Sequence, residues 1–147
     1  MQETMHMLLY RAFHAQRNIL RPYMRTLGLG AGQPKLIAYL AEHGPCRQRE
    51  LADYFEVDPA AISRMVESLE KGGFITVAAD GKDRRRNLLS TTDRGLEAAR
   101  AWLAKRAQVE EIMLRGFSPE EREAFSAYLT RARQNYVGWK EEHPCET

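Results

Sequence analysis

The densest charge in this sequence is the run Lys82-Asp83-Arg84-Arg85-Arg86, four basic groups and one acid. It carries net +3 in a 147-residue chain whose formal total is +2, so the rest of the chain sums to −1. Guanidinium and ammonium groups gathered in this way suit phosphate oxygens, and adjacent arginines suit a narrow minor groove, where negative potential is greatest. A five-residue basic run is also what a solvated loop looks like, so its meaning depends on its surroundings. Upstream lie Pro59, Ala60, Ala61, Ser63, Arg64 and Ser68. An arginine pairs bidentately with guanine, a serine hydroxyl serves a base edge or a phosphate, and small alanines permit close approach. Asp83 is expected to orient one of its arginine neighbours.

Other chemistries find little support. Cys46 and Cys145 are far apart and lack metal-ligand spacing, so neither a metal site nor a disulfide framework is expected. There is no P-loop and no nucleophile with spaced His and Asp partners, and neither an enzymatic activity nor a cofactor is expected. Cys46 raises one alternative, since Arg47 and Arg49 beside it could depress a thiol pKa near a helix N-terminus and make a redox sensor. An inert thiol is the plainer expectation. No apolar run approaches the roughly 18 residues that span a bilayer, and Met1-Gln2-Glu3-Thr4 lacks a basic leader region, so a cytoplasmic protein without a membrane partner is expected.

The elements that must position these groups follow from periodicity and punctuation. Met5, Leu8, Leu9, Ala12, Gln16, Ile19 and Tyr23 recur at three- and four-residue steps, predicting an amphipathic helix over 3–26. Gly28-Leu29-Gly30-Ala31-Gly32 ends it and reads as a flexible connection. Helices over 33–43 and 48–55 follow, separated by the breaker pair Gly44-Pro45. Asp58 as N-cap and Pro59 at the first helical position open another helix, which runs to Lys71 and stops at Gly72-Gly73. Residues 74–78 and 87–91 read as strands around an Asp80-Gly81 turn. Leu96, Ala99, Leu103, Ala107 and Leu114 predict a long helix over 93–116, and Ser118-Pro119-Glu120-Glu121 forms a capping box for a final one.

The fold class predicted is mainly α with a small β-hairpin. A short helix, a tight turn, a capped second helix and a basic hairpin make a winged helix-turn-helix, flanked by long N- and C-terminal helices. In such an arrangement the second helix enters the major groove and the hairpin reaches the adjacent backbone or minor groove. On residues 59–71, Ile62, Val66 and Leu69 share the inward face, which leaves Ala60, Ala61, Ser63, Arg64 and Ser68 outward.

These residues resemble the MarR-type (multiple antibiotic resistance regulator) transcription factors. Residues 46–52 are similar to the family's first helix-turn-helix element, and residues 61–75 to its recognition helix running into the wing. Asp83-Arg84-Arg85 matches the Asp-x-Arg wing signature, and Thr92-Asp93-Arg94-Gly95 the Thr-x-x-Gly start of the next helix. Two positions depart from the pattern: Thr76-Val77-Ala78 stands where an arginine is common, and Thr91-Thr92 where Leu-Thr is usual.

The resemblance implies a single domain over 1–147. In it a winged lobe at 33–92 is joined to dimerisation helices at 1–30 and 93–147. It implies a homodimer on double-stranded DNA, acting as a ligand-responsive repressor at a pseudo-palindromic operator. It also implies backbone contacts from Arg47, Gln48 and Arg49. Relatives of this kind release DNA on binding a small aromatic or anionic molecule, and His14, Arg17, Tyr39 and His43 are the candidates for such a pocket. Each of those four is individually expected to be an interface or surface side chain. A helical interaction module that does not read DNA is the remaining alternative.

Overall fold

The computed structural model describes residues 3–83 and 86–146, and the chain divides into two compact units with the boundary after Val109. Within the first unit, helix α1 (Met5–Thr26) starts at Thr4, whose hydroxyl accepts from the Met7 amide at 3.2 Å. That bond satisfies one of the orphan amides of the first turn. No residue of α1 is buried, and Met5, Leu9, Tyr10 and Phe13 are 50–83% exposed.

The glycine run after α1 is not the flexible connection its composition predicts. Leu29 is buried and its amide donates to the Met24 carbonyl, while the Gly30 amide donates to Gln33 Oε1 at 2.8 Å. Gly32 sits at φ 79°, where a Cβ would come within 2.7 Å of Met65 Sδ. The glycines here permit a tight, packed turn rather than freedom.

Helix α2 (Gln33–His43) buries Leu36, Ile37 and Leu40, as the spacing predicts. Strand β1 (Cys46–Arg47), helix α3 (Gln48–Phe55) and helix α4 (Pro59–Lys71) follow. The turn between α3 and α4 closes with Glu56 in the left-handed region, φ 54°, and the Val57 amide on the Ala52 carbonyl at 3.1 Å. Asp58 then caps α4 through Ala60 N at 3.1 Å. Ile62, Val66 and Leu69 face inward on α4 and join Leu36, Ile37, Leu51, Ile75 and Leu89 in one core. Side chains buried this fully contribute about 1.5–3 kcal/mol each.

Strands β2 (Ile75–Ala78) and β3 (Leu88–Thr91) form the hairpin, with Val77 opposite Leu89. The sheet is larger than the two strands expected, because β1 adds antiparallel to the far side of β3 and gives the order β1-β3-β2. A two-residue strand has no periodicity for a sequence to reveal.

Helix α5 (Asp93–Met113) buries Gly95, Ala98, Ala99 and Trp102. Of the predicted stripe, Ala99 and Leu114 are buried, Leu96 and Leu103 are half-buried, and Ala107 is exposed. The start of the buried face carries small residues, Gly95, Ala98 and Ala99, because the helix there comes very close to the hairpin. A Cβ on Gly95 would lie 2.0 Å from the Phe74 carbonyl oxygen. Thr92 locks the approach: its hydroxyl donates to Gly73 O at 2.6 Å, and its Oγ1 accepts from Gly95 N at 3.1 Å.

The second unit holds the end of α5, a turn and helix α6 (Pro119–Glu142). Ser118 and Glu121 form the predicted capping box, with Ser118 N on Glu121 Oε2 at 2.8 Å and Glu121 N on Ser118 Oγ at 3.2 Å. Arg122 grips Glu111 with both terminal nitrogens at 2.9–3.1 Å. No residue of α6 is buried; Tyr128, Leu129, Tyr136 and Trp139 are 43–67% exposed.

Candidate nucleic-acid interface

Burial of Ile62, Val66 and Leu69 turns the opposite face of α4 to solvent, and Ala60, Ser63, Arg64 and Ser68 are all exposed on it. Ala61 is half-buried at its edge. A cavity of about 760 Å³ opens beside the start of this helix, lined by Gln48, Arg49, Ala52 and Asp53 of α3, by Asp58, Pro59, Ala60 and Ser63, and by Asp83 of the hairpin. The fold therefore brings Gln48, Arg49, Pro59, Ala60, Ser63 and Asp83, which are scattered over three segments of sequence, to one concave surface. Ala52 and Asp53 were not among the expected lining residues. Their signal was the i,i+3 and i,i+4 step from Arg49 along α3.

Acids in such a surface would repel a polyanion unless they are engaged. Asp58 accepts the Ala60 amide, and Asp53 lies 3.8 Å from Arg49 Nε. The carbonyl of Asp83 accepts from the Arg86 amide at 3.0 Å and so shapes the hairpin. Lys82 and Arg86 are exposed on that hairpin. Arg84 and Arg85, the other expected wing contacts, lie outside the described residues. Arg47 is placed differently from Arg49: its Nη2 meets Asp80 Oδ2 at 3.2 Å, across from the end of β1 to the hairpin.

Cys46 lacks the setting that the redox alternative requires. It lies in β1 opposite Leu89, is 5% exposed, and burial, reinforced by the Glu50 carboxylate, pushes its pKa up to about 11. The neighbouring guanidiniums point away to Asp80 and Asp53, so they do not stabilise a thiolate. The candidate effector residues are brought together only in part. Tyr39 and His43 stack at 4.1 Å beside Tyr54, whereas His14 stacks on Tyr10 of its own helix and Arg17 is exposed. None of the four lines the cavity beside α4.

A tight helix-turn-helix followed by an antiparallel basic hairpin defines a winged helix protein. The MarR family model matches residues 31–86, which span α2 to the end of the hairpin tip. Over 113 residues the chain is 33% identical to the HTH-type transcriptional regulator YxaD of Bacillus subtilis (strain 168), covering 77% of this chain and 79% of that one. It is also 33% identical to the HTH-type transcriptional repressor MdtR of the same organism, over 73% of this chain and 68% of that one. A MarR family transcriptional regulator from Listeria monocytogenes, crystallised with 26mer DNA, shares the fold with a TM-score of 0.80 at 22% identity, covering 92% of this chain and 89% of that one. This chain belongs to the MarR family of transcriptional regulators. Among its described residues no helix is long and apolar enough to cross a membrane.

Proposed function

We propose that this regulator is a cytoplasmic homodimer that binds double-stranded DNA sequence-specifically, with α4 in the major groove and the hairpin on the neighbouring backbone or minor groove. The observation that carries the reading is the concave surface where the exposed start of α4, the first turn of α3 and the hairpin meet. Arg64 reads a base edge, most simply guanine, and Ser63 and Ser68 serve bases or phosphates. Gln48 and Arg49 contact the backbone, as do Lys82, Arg84, Arg85 and Arg86. The DNA-bound fold neighbour supports the same use of the fold. In this reading the winged lobe is 33–92, and 1–30 with 93–147 supply dimerisation helices. The exposed apolar faces of α1 and of α6 support a partner copy that covers them.

The regulator acts as a repressor, as the relative MdtR is named, and responds to a small aromatic or anionic effector, for which the Tyr39–His43 stack beside Tyr54 is the candidate contact. Selection from a pool of random duplexes tests the DNA reading. An inverted repeat with half-sites about 10–10.5 bp apart, or a multiple of it, is expected. A pool that stays unenriched at low salt overturns it. Effector control is read by a thermal-shift screen of aromatic acids and phenols, in which melting that never moves counts against it.

A further inference from the structure

Arg47 stands at the junction of three elements. Its backbone ends β1, which pairs with β3 at Arg47 opposite Leu88. Its amide donates to Glu50 Oε1 at 2.9 Å in the first turn of α3. Its guanidinium reaches Asp80 Oδ2 at 3.2 Å, 33 residues away at the foot of the hairpin loop. Asp80 is in turn tied across the loop, its amide donating to Asn87 Oδ1 at 3.4 Å. The strand residues Thr76, Val77 and Ala78 on the β2 side carry no charge that could brace the loop themselves.

We infer that the Arg47–Asp80 pair is a latch that sets the angle of the wing against the helix-turn-helix, making Asp80 a positioning residue for DNA binding although it carries the wrong charge to touch DNA. The inference rests on the DNA-binding reading above. Both side chains are about half exposed, so the pair adds little to folding and is weakened by salt. Its effect is therefore felt where a wing must be held at one angle to meet a second groove, not in the stability of the core.

The latch and plain electrostatics predict opposite signs. A carboxylate beside a DNA surface repels phosphate, so on charge alone Asp80→Asn tightens binding. If the pair is a latch, Asp80→Asn weakens binding to the selected operator by about fivefold, within the range of coupling for contacting residues, Asp80→Glu keeps most of the affinity, and the melting temperature hardly moves. In a cycle with Arg47→Gln, the second substitution adds little to the first. Hydrogen exchange on the free protein supplies a readout without DNA: Asp80→Asn should speed exchange in the 76–90 segment and leave α2 and α4 unchanged.

Asp80→Asn binding as tightly as wild type or tighter, or losses that multiply in the cycle, overturns the latch. Unchanged exchange at 76–90 overturns it as well. Failure of the wild-type protein to bind any duplex would instead sink the DNA-binding reading, while the exchange result would still report whether the pair holds the hairpin.

Discussion

Single residues that look alike in sequence differ in what each touches. Arg64 is exposed on α4 with no charged partner within reach among the ion pairs described, Arg49 leans on Asp53, and Arg47 is held by Asp80. Arg64→Ala should relax base preference, costing about 1–3 kcal/mol of discrimination at one position. Arg49→Ala should weaken binding evenly across sequences and lower the salt slope by about 1, as loss of a phosphate contact does. Competition titrations with matched and scrambled duplexes distinguish the two. Cys46 should resist iodoacetamide at pH 8 while exposed Cys145 reacts, as peptide mass spectrometry of the folded protein will report; stoichiometric labelling of Cys46 would refute its burial. Because the folded thiol titrates higher than the ordinary value of 9.0, its contribution is intact below that value and stability falls as pH rises from there towards about 11.

At the scale of elements, what was legible was local. Asp58-Pro59 and Ser118-Pro119-x-Glu121 announce helix starts because capping needs only neighbouring residues, and both caps form as the residues predict. The inward triad Ile62, Val66 and Leu69 was equally plain, and with it the outward face that carries the candidate site. What could not be read depended on distant partners. Strand β1 exists because β3 offers an edge, and the buried face of α5 is chosen by the Phe74 carbonyl, which only Gly95 tolerates so near. The concave surface itself joins three segments through tertiary packing, so its members were guessable singly but its acids Asp53 and Asp58 were not seen as a lining. Gly95→Ala should destabilise by about 1–3 kcal/mol through overpacking, measured by denaturant unfolding, and an unchanged midpoint would contradict the close approach. In the second unit, Arg122 holds the Glu111 carboxyl below its ordinary value of 4.5. That contribution is present at neutral pH and is lost as pH falls through the depressed value. Arg122→Gln should return Glu111 towards 4.5, followed by carboxyl NMR titration.

At the scale of the whole molecule, a chain of formal charge +2 is barely basic, and its affinity for DNA must come from where charge is placed rather than how much there is. Helices α1 and α6 each leave a large apolar face uncovered, which the proposed second copy would bury. Phe13→Glu, on an exposed position of α1, should lower the dimer fraction in sedimentation velocity without unfolding the winged lobe. The central claim is that α4 reads sequence while the hairpin and α3 supply charge. It is tested most directly by fluorescence anisotropy of wild type and Arg64→Ala on the selected operator and on a scrambled duplex, each across a salt series. Wild type should prefer the operator by about a thousandfold or more, and Arg64→Ala should lose much of this preference while keeping the salt slope on scrambled DNA. Equal wild-type affinity for the two duplexes, or an unaltered preference in Arg64→Ala, would contradict it.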